Sequence, residues 1–436
     1  MLTQNLQVQI AADGGIVNRR SFLKNVAAGS ALGSAGLGAM GWIDTVRAEA
    51  EQLKKKGMSC ILLFMRGAPS QFETFDPKPG TSTGGPTTAI KTAVPGIEIA
   101  EGWEKTAAAM KDIALLRSVY SKEGQHDRAV HLLHTAYLPS GSVKYPGMGS
   151  IVASELGDPG FDLPHFVSIG GLGATFSPSY LGMQYSAFVV NDPNRLPQNV
   201  ELPQAVNAER LKRRLGLMDK LQKDFEESGG KVAVTDQKAL YQSASKLILS
   251  PKIKAFDLSQ EKDATKARYG ANPFGQGCLL ARRLVETGVT FVEVASNGWD
   301  THDDNFNRVK KLAGQTDPAV AALIQDLRER GMLHKTLVIW MGEFGRTPNI
   351  NPRTGRDHYP RSFNVLLAGG GIKGGQVIGA TDKDGKGVKD DPISVPDLFC
   401  SIYKSLQIDP RKENHSAEGR PIKLVDGGNA VKQLFA

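Results

Sequence analysis

Five short, mainly apolar runs divide the chain, and each has the length of a single β-strand. They are Cys60–Met65, Ile113–Val119, Val289–Val294, Leu337–Met341 and Val365–Ala368. Runs with little alternation between apolar and polar residues are typical of strands that are buried on both faces. The pattern therefore predicts a sheet that is covered on each side by other elements.

Between these runs the apolar residues recur with the period of an α-helix. From Asn207 to Ser228 they share one face, at Ala208, Leu211, Leu215, Met218, Leu221 and Phe225. Further helices are predicted over Phe274–Glu286 and Pro318–Arg330. Asp317 is expected to cap the last helix and Gly331 to end it. Strands that alternate with helices predict an α/β fold with a large, mostly parallel central sheet and helices on both faces.

The segment before the first run has the features of an export signal. The sequence NRRSFLK at Asn18–Lys24 matches a twin-arginine motif, and a weakly apolar, glycine-rich stretch over Asn25–Ile43 follows it. Small residues at Ala48–Ala50 then provide a cleavage site. We predict a signal peptide over 1–50, a single domain over 51–436, and a periplasmic or secreted protein without a transmembrane anchor. A chance arginine pair before an amphipathic helix is the alternative.

Composition and charge exclude several classes of protein. Hydrophobic residues make up 40% of the chain, which is too many for a disordered protein. The net charge is 53 − 45 = +8, but lysine and arginine are scattered among acidic residues, so we expect no nucleic-acid partner. Cys60, Cys278 and Cys400 are an odd, sparse set in apolar segments, and we predict free, buried thiols.

Side chains that bind metals and anions are concentrated in the segments that follow the predicted strands. In chain order they are Glu73, His126, Asp300, His302, Glu343, Arg346, Arg356 and His358. Carboxylate and imidazole groups suit ions such as Zn or Mn, and paired arginines suit phosphate or sulfate. Ligands of open α/β sheets lie beyond the carboxyl ends of the strands, so we expect these side chains to converge at that edge.

Structural interpretations stay open for single residues of this set. Asp300 could cap the helix that follows it. Glu343 could pair with Arg346, and His358 could form a surface pair with its neighbour Asp357. The case for a site therefore depends on the recurrence of such residues at strand ends.

Longer motifs resemble the exported bacterial family known as domain of unknown function 1501. They are NRRSFLK, GAPSQFETFDPKP, FGQGCLLARRLVETGVTFVEV, GWDTHDDNF, TLVIWMGEFGRTPNINPRTGRDHYP and AGGGIKGGQVIGATD. The resemblance covers nearly the whole chain. The family in turn looks like a divergent branch of the alkaline phosphatase and sulfatase superfamily. That likeness implies a large central sheet and the hydrolysis or transfer of phosphate or sulfate esters with one or two divalent metals.

The resemblance also implies roles for individual residues. Asp300, His302 and His358 would hold one divalent ion, which is expected to be Zn, Mn or Ca. Glu343 with Glu73 would hold a second ion. Arg346 and Arg356 would clamp the anion. His126 would act as the general acid/base or as the nucleophile.

The chain departs from the superfamily pattern in three places. Phe344 stands where a histidine is expected after Glu343, and Arg66 stands where the first strand should end in an acid. No Ser, Thr or Cys occupies the nucleophile position near Gly124. We predict an exported metal-dependent hydrolase that acts on a small anionic ester or on a sulfated or phosphorylated glycan. The alternative is a catalytically silent fold that serves as a binding or assembly protein for an exported protein or a glycan.

Overall fold

The computed structural model describes residues 11–12, 15–16, 57–141, 143–170, 177–202, 206–225, 231–416 and 418–435. The chain divides into two units, Met1–Lys54 and Lys55–Ala436. In the first unit, Ala11–Ala12 and Gly15–Ile16 pair as two short antiparallel strands. The rest of the predicted signal peptide lies outside the described residues.

The second unit is built on a sheet in which nine strands are described. In chain order they are β1 Ser59–Met65, β2 Ile113–Tyr120, β3 Phe166–Ile169, β4 Phe188–Val190, β5 Phe291–Ser296, β6 Thr336–Met341, β7 Phe363–Ala368, β8 Gln376–Ile378 and β9 Ile393–Ser394. Across the sheet the order is β8-β2-β7-β6-β1-β5-β3-β4, and β9 also pairs with β2. Only β7 runs against the others among these strands. The sheet is thus mostly parallel, as predicted.

Helices cover both faces of this sheet. They are α1 Glu104–Ala108, α2 His126–Thr135, α3 Met148–Leu156, α4 Ala208–Phe225, α5 Lys231–Leu249, α6 Asp263–Tyr269, α7 Pro273–Thr287, α8 Asn305–Glu329 and α9 Val395–Ser405. Alternate residues of a strand point to opposite faces, so Ile61 enters the core beneath α7 and α8, and Leu62 enters the core beneath α2, α3 and α9. The predicted α/β class is confirmed. No helix among the described residues combines the length and apolar content that a bilayer crossing requires.

The prediction for α8 is wrong at its start. The helix begins at Asn305 and continues through Pro318, so Pro318 does not occupy its first position. Asp317 caps a different helix, because its carboxylate accepts the backbone N–H groups of Lys105 at 3.0 Å and Thr106 at 2.7 Å, in α1. Sequence spacing alone could not reveal that an aspartate in one helix serves the exposed N–H groups of another.

The reversed direction of β7 brings one more loop to the carboxyl edge of the sheet. A parallel strand would start at the opposite edge, whereas β7 starts where β1, β2, β5 and β6 end. Before β7, Gly345–Arg346 and His358–Tyr359 pair as a short antiparallel ribbon. The loop that carries His358 is therefore held against the segments that follow β5 and β6.

The reactivity of the three cysteine thiols tests whether they are buried in the hydrophobic cores that cover the two faces of the sheet. Cys60 and Cys278 are fully buried and Cys400 is 4% exposed, and all three are free, as predicted. Burial raises the pKa of each thiol, which suppresses the reactive thiolate. We expect slow labelling of the native protein and fast labelling after unfolding in urea. Rapid labelling of all three native thiols would contradict this packing.

Candidate metal centre

Four segments at the carboxyl edge of the sheet bring polar side chains together. They contribute His126, Asp300 with His302, Glu343, and His358. The turn that carries Asp300 lies directly on Gly67, which follows β1 with a φ of +103°. A Cβ on Gly67 would lie 2.3 Å from the backbone nitrogen of Asp300. Only glycine permits this approach, so the position of Asp300 depends on it.

One carboxylate oxygen lies within reach of three imidazole rings. Asp300 Oδ1 is 3.1 Å from His302 Nε2, 3.4 Å from His126 Nε2 and 3.5 Å from His358 Nε2. The Nε2 atoms of His302 and His358 are 2.9 Å apart. Donors that lie about 2.0–2.1 Å from a tetrahedral ion are separated by about 3.3–3.4 Å. The separations of Asp300 Oδ1 from the three rings therefore fit donors around one divalent ion, and the donor atoms of His126, Asp300 and His358 all lie within 4.8 Å of one another.

The outer nitrogen of each ring fixes its tautomer. Every Nδ1 faces an oxygen: Asp357 Oδ1 at 2.7 Å from His302, the Gly124 carbonyl at 2.8 Å from His358, and Glu343 Oε1 at 2.7 Å from His126. Each Nδ1 must donate to its oxygen, so each neutral ring turns the lone pair of Nε2 toward Asp300. Partial burial lowers the pKa of His358, which favours this neutral form. In this neutral form the lone pairs converge on a carboxylate, an arrangement that a cation between them would stabilise.

Asp300, His126, His302 and His358 form a cluster, and Glu343 supports this cluster from the protein interior. It is 1% exposed, and its Oε1 accepts the N–H of Gly67 at 2.9 Å as well as that of His126. Its second oxygen, Oε2, is buried without a hydrogen-bond partner. The hydrogen bond to the Glu343 carboxylate raises the pKa of His126. Carboxylates commonly orient metal-binding histidines in this way.

We expect Glu343→Gln to lower the pKa of His126 toward its ordinary value, because a neutral amide no longer stabilises the imidazolium. The same change should weaken the binding of Zn²⁺ by about 10–100-fold. NMR titration of the ring protons in metal-free protein measures the pKa. Glu413→Gln, at an exposed position, is the control. An unchanged titration of His126 in Glu343→Gln would contradict this role.

Arg346 lies behind Asp300, inside the protein. It is fully buried, and its guanidinium donates to Asp300 Oδ1 at 2.6 Å and to several backbone carbonyls, those of Gly67, Ala68 and Arg356 among them. Although partial burial opposes the shift, the bond from Arg346 lowers the pKa of Asp300 to about 2. Arg346 was predicted to bind an anion, but in the structure it holds the Asp300 carboxylate ionised and in place.

Arg356 and Glu73 are paired with each other, and the structure does not bring them into the cluster. Both are buried, and Arg356 Nη2 lies 2.8 Å from Glu73 Oε1. The Asn305 amide donates to the other Glu73 oxygen at 2.9 Å, and the guanidinium lies 4.3 Å from the centre of the Phe72 ring. All groups of this pair are occupied, so neither side chain has a free group for an anion or a second ion.

A cleft of about 570 Å³ opens beside the cluster. Its walls include His126, Asp300 and Glu343, the apolar Val130 and Pro139, and the two arginines Arg66 and Arg128. Neither arginine was among the predicted site residues. The available signal was the position of Arg66, which comes directly after β1 at the edge where ligands bind.

The hydroxyl groups of Ser118 and Ser121, which are close in sequence to the predicted nucleophile position, are engaged elsewhere. Ser118 Oγ donates to the carbonyl of Asp391 at 2.5 Å, and Ser121 Oγ donates to that of Glu123 at 3.4 Å. Among the described residues, no Ser, Thr or Cys side chain forms a hydrogen bond with a histidine of the cluster. The arrangement therefore offers metal-binding groups without a protein nucleophile.

Comparison with known proteins adds a family and several distant likenesses. The sequence profile described as "Protein of unknown function (DUF1501)" matches residues 58–435. No protein with curated annotation matches the sequence. The PsFucS1 sulfatase from Pseudoalteromonas sp. is 12% identical, with 83% of this chain and 71% of that one covered, at a TM-score of 0.39. The lipoteichoic acid synthase LtaP from Listeria monocytogenes is 8% identical, with 82% and 73% covered, at 0.41. The phosphonate monoester hydrolase of Agrobacterium radiobacter is 11% identical, with 87% and 77% covered, at 0.35.

Proposed function

The chain belongs to the DUF1501 family, and we propose that it is a metal-dependent hydrolase of phosphate or sulfate esters. One observation carries this proposal. Three imidazole acceptors converge on a single carboxylate oxygen beside a cleft, and that cleft contains an arginine without an ion pair. The first feature calls for a cation, and the second calls for an anion. An anionic ester bound next to a divalent ion satisfies both.

Four side chains would hold the ion. Asp300, His302 and His358 supply three donors, and His126 supplies a fourth instead of acting as an acid or base. Three of the four donors are nitrogen atoms, which suits Zn better than Ca. When bound, such an ion supplies Lewis acidity that polarises the ester and makes water more acidic.

Neighbouring side chains would hold the donors of that ion in position. Arg346 keeps Asp300 ionised, and Glu343 keeps the Nε2 lone pair of His126 directed at the site. Water is the proposed nucleophile, because the hydroxyls of Ser118 and Ser121, which are close in sequence to the expected nucleophile position, are bonded to backbone carbonyls. One water is consumed, and the products are an alcohol and free phosphate or sulfate.

Hydrolysis by metal-loaded protein tests the proposal. Chelator-treated full chain is reloaded with Zn²⁺, Mn²⁺ or Ca²⁺ and assayed with 4-nitrophenyl phosphate and 4-nitrophenyl sulfate. We expect activity with Zn²⁺ or Mn²⁺, its loss on chelation, and its loss in the His302→Ala variant. The His334→Ala variant, changed at an exposed position, should retain activity.

A silent binding or assembly protein is the second candidate. The absence of a protein nucleophile beside the described cluster favours it. Protein that binds one ion per chain yet hydrolyses neither ester class would support this candidate over the hydrolase. Retention of a sulfated or phosphorylated glycan by the same protein would then identify its ligand class.

We further propose that the protein acts outside the cytoplasm, because Arg19 and Arg20 belong to a twin-arginine motif. Changing both residues to Lys is expected to trap the precursor in the cytoplasm. Cell fractionation and immunoblotting measure the distribution. Normal export of the double variant, in a strain with a working twin-arginine route, would contradict the proposal.

A further inference from the structure

Arg66 extends a row of apolar side chains into the cleft. Leu62 and Phe64 point to the same face of β1, and Arg66 follows at the next position of that alternation. Its backbone is fixed, because its N–H donates to the carbonyl of Ser296 and its own carbonyl accepts the N–H of Trp299. The guanidinium therefore leaves the sheet on the face that α2 covers, and it lines the cleft beside His126.

The guanidinium of Arg66 lacks the partners that such a group normally has. The side chain is half-buried, and its Nε is buried without a hydrogen-bond partner. No ion pair or side-chain hydrogen bond of Arg66 occurs among the described residues. Every other buried or half-buried arginine of the described part of the chain has at least one. Unpaired charges with little access to water are costly, so the arrangement indicates that a ligand supplies the missing acceptors.

Two buried groups lie on the same face of the sheet as this guanidinium. Glu293 belongs to β5, is paired in register with Leu62, and is 6% exposed. His134 of α2 lies with its Nε2 3.6 Å from Glu293 Oε1. Although burial opposes it, the charges of His134 and Arg66 lower the pKa of Glu293, so its carboxylate is ionised. Its negative charge attracts the guanidinium, but no ion pair or hydrogen bond joins the two side chains among the described contacts, so the N–H groups of Arg66 are not taken up by Glu293.

We propose that Arg66 is the anion-binding residue of the cleft, with Glu293 as the positioning residue that fixes its guanidinium. The ligand is a tetrahedral oxyanion, whose non-bridging oxygens accept N–H groups of Arg66. This inference rests on the proposed function, because the oxyanion is the phosphate or sulfate group of the ester. Arg128 lines the same cleft, but it is bonded to Glu123 at 2.7 Å and its side chain is 48% exposed, which makes it a matched control.

Titration calorimetry with inorganic sulfate and orthovanadate tests the inference on full-length, Zn²⁺-loaded protein. Arg66→Ala is expected to weaken the binding of both anions by about 10–100-fold, the range of a charge-assisted hydrogen bond. Zn²⁺ affinity should stay within about twofold of wild type, because Arg66 is not a donor to the ion. Arg128→Ala should change anion affinity by less than about threefold. Guanidinium ions added at low millimolar concentration should restore part of the anion binding of Arg66→Ala.

The role of Glu293 requires a readout that loss of packing would not produce. Glu293→Gln should weaken anion binding several-fold, whereas in the Arg66→Ala background it should weaken binding no further. Additive losses in this cycle would overturn the positioning role.

The outcomes separate this inference from the proposed function. Wild-type protein that binds Zn²⁺ while Arg66→Ala binds both anions normally would overturn the inference and leave the metal centre intact. Wild-type protein that binds Zn²⁺ but neither anion would overturn it as well. If wild type fails to bind Zn²⁺, the proposed function fails. Sulfate binding by the metal-free wild type and Arg66→Ala then decides the role of Arg66 by itself.

Discussion

His358→Ala is expected to lower the affinity for Zn²⁺ by at least about 100-fold, because loss of a direct donor should cost no less than loss of an outer partner. The ring of His358 lies 2.9 Å from His302 and 3.5 Å from Asp300 through its Nε2. It is half-buried in a loop, so its removal should leave both cores unchanged. Competition with a chromophoric chelator measures the affinity.

The matched control for this experiment is His334→Ala, which removes an exposed imidazole elsewhere. It should leave Zn²⁺ affinity unchanged. Circular dichroism should report the same helix content for both variants and wild type. Equal Zn²⁺ affinity in His358→Ala and wild type would remove the metal centre from consideration.

Glu73→Gln should lower the free energy of unfolding by about 3–5 kcal/mol, because it leaves the buried guanidinium of Arg356 without its counter-charge. The pair lies in the protein interior, with Arg356 fully buried and Glu73 5% exposed. Urea denaturation followed by circular dichroism measures the loss. Zn²⁺ affinity should be unchanged, since Glu73 is bonded to Arg356, Asn305 and Thr87 and to no residue of the cluster.

Glu123→Gln provides the comparison, because it breaks the solvent-facing ion pair with Arg128. Such a pair contributes less than about 1 kcal/mol. A similar decrease in the free energy of unfolding in both variants would show that the buried Glu73 pair stabilises the fold no more than the solvent-facing pair does. A large fall in Zn²⁺ affinity for Glu73→Gln would instead return Glu73 to the metal site.

Sequence patterns could predict the fold because they depend on local periodicity. The five apolar runs are strands of the sheet, with ends displaced by one or two residues. The start of α8 was missed because proline is common at the first helical position, and Pro318 follows a good capping residue. Tolerance of that proline inside a helix depends on tertiary packing, which no window of sequence contains.

The site could be predicted only as far as the shared edge of the sheet allowed. That rule indicated Asp300, His302 and His358, which do lie together. It could not decide the partners of the arginines, because a guanidinium reaches several groups and its choice depends on the assembled interior. Two signals were available and unused: Glu293 is a carboxylate within an apolar run, and Arg66 ends another run. Buried charges of this kind are rare without a partner or a function.

The donors of the proposed metal centre come from distant parts of the chain, and this separation would couple a bound ion to folding. From His126 to His358 the distance along the sequence is 358 − 126 = 232 residues, and the helix and the ribbon that carry them meet only in the folded chain. An unfolded chain offers no comparable site, so an ion held by these donors would bind selectively to the native state. At a free concentration of 100 times Kd, selective binding stabilises that state by about 2.7 kcal/mol. Ion occupancy then becomes a measure of how completely the chain has folded, and a folded, loaded protein is the form that a twin-arginine route would transport.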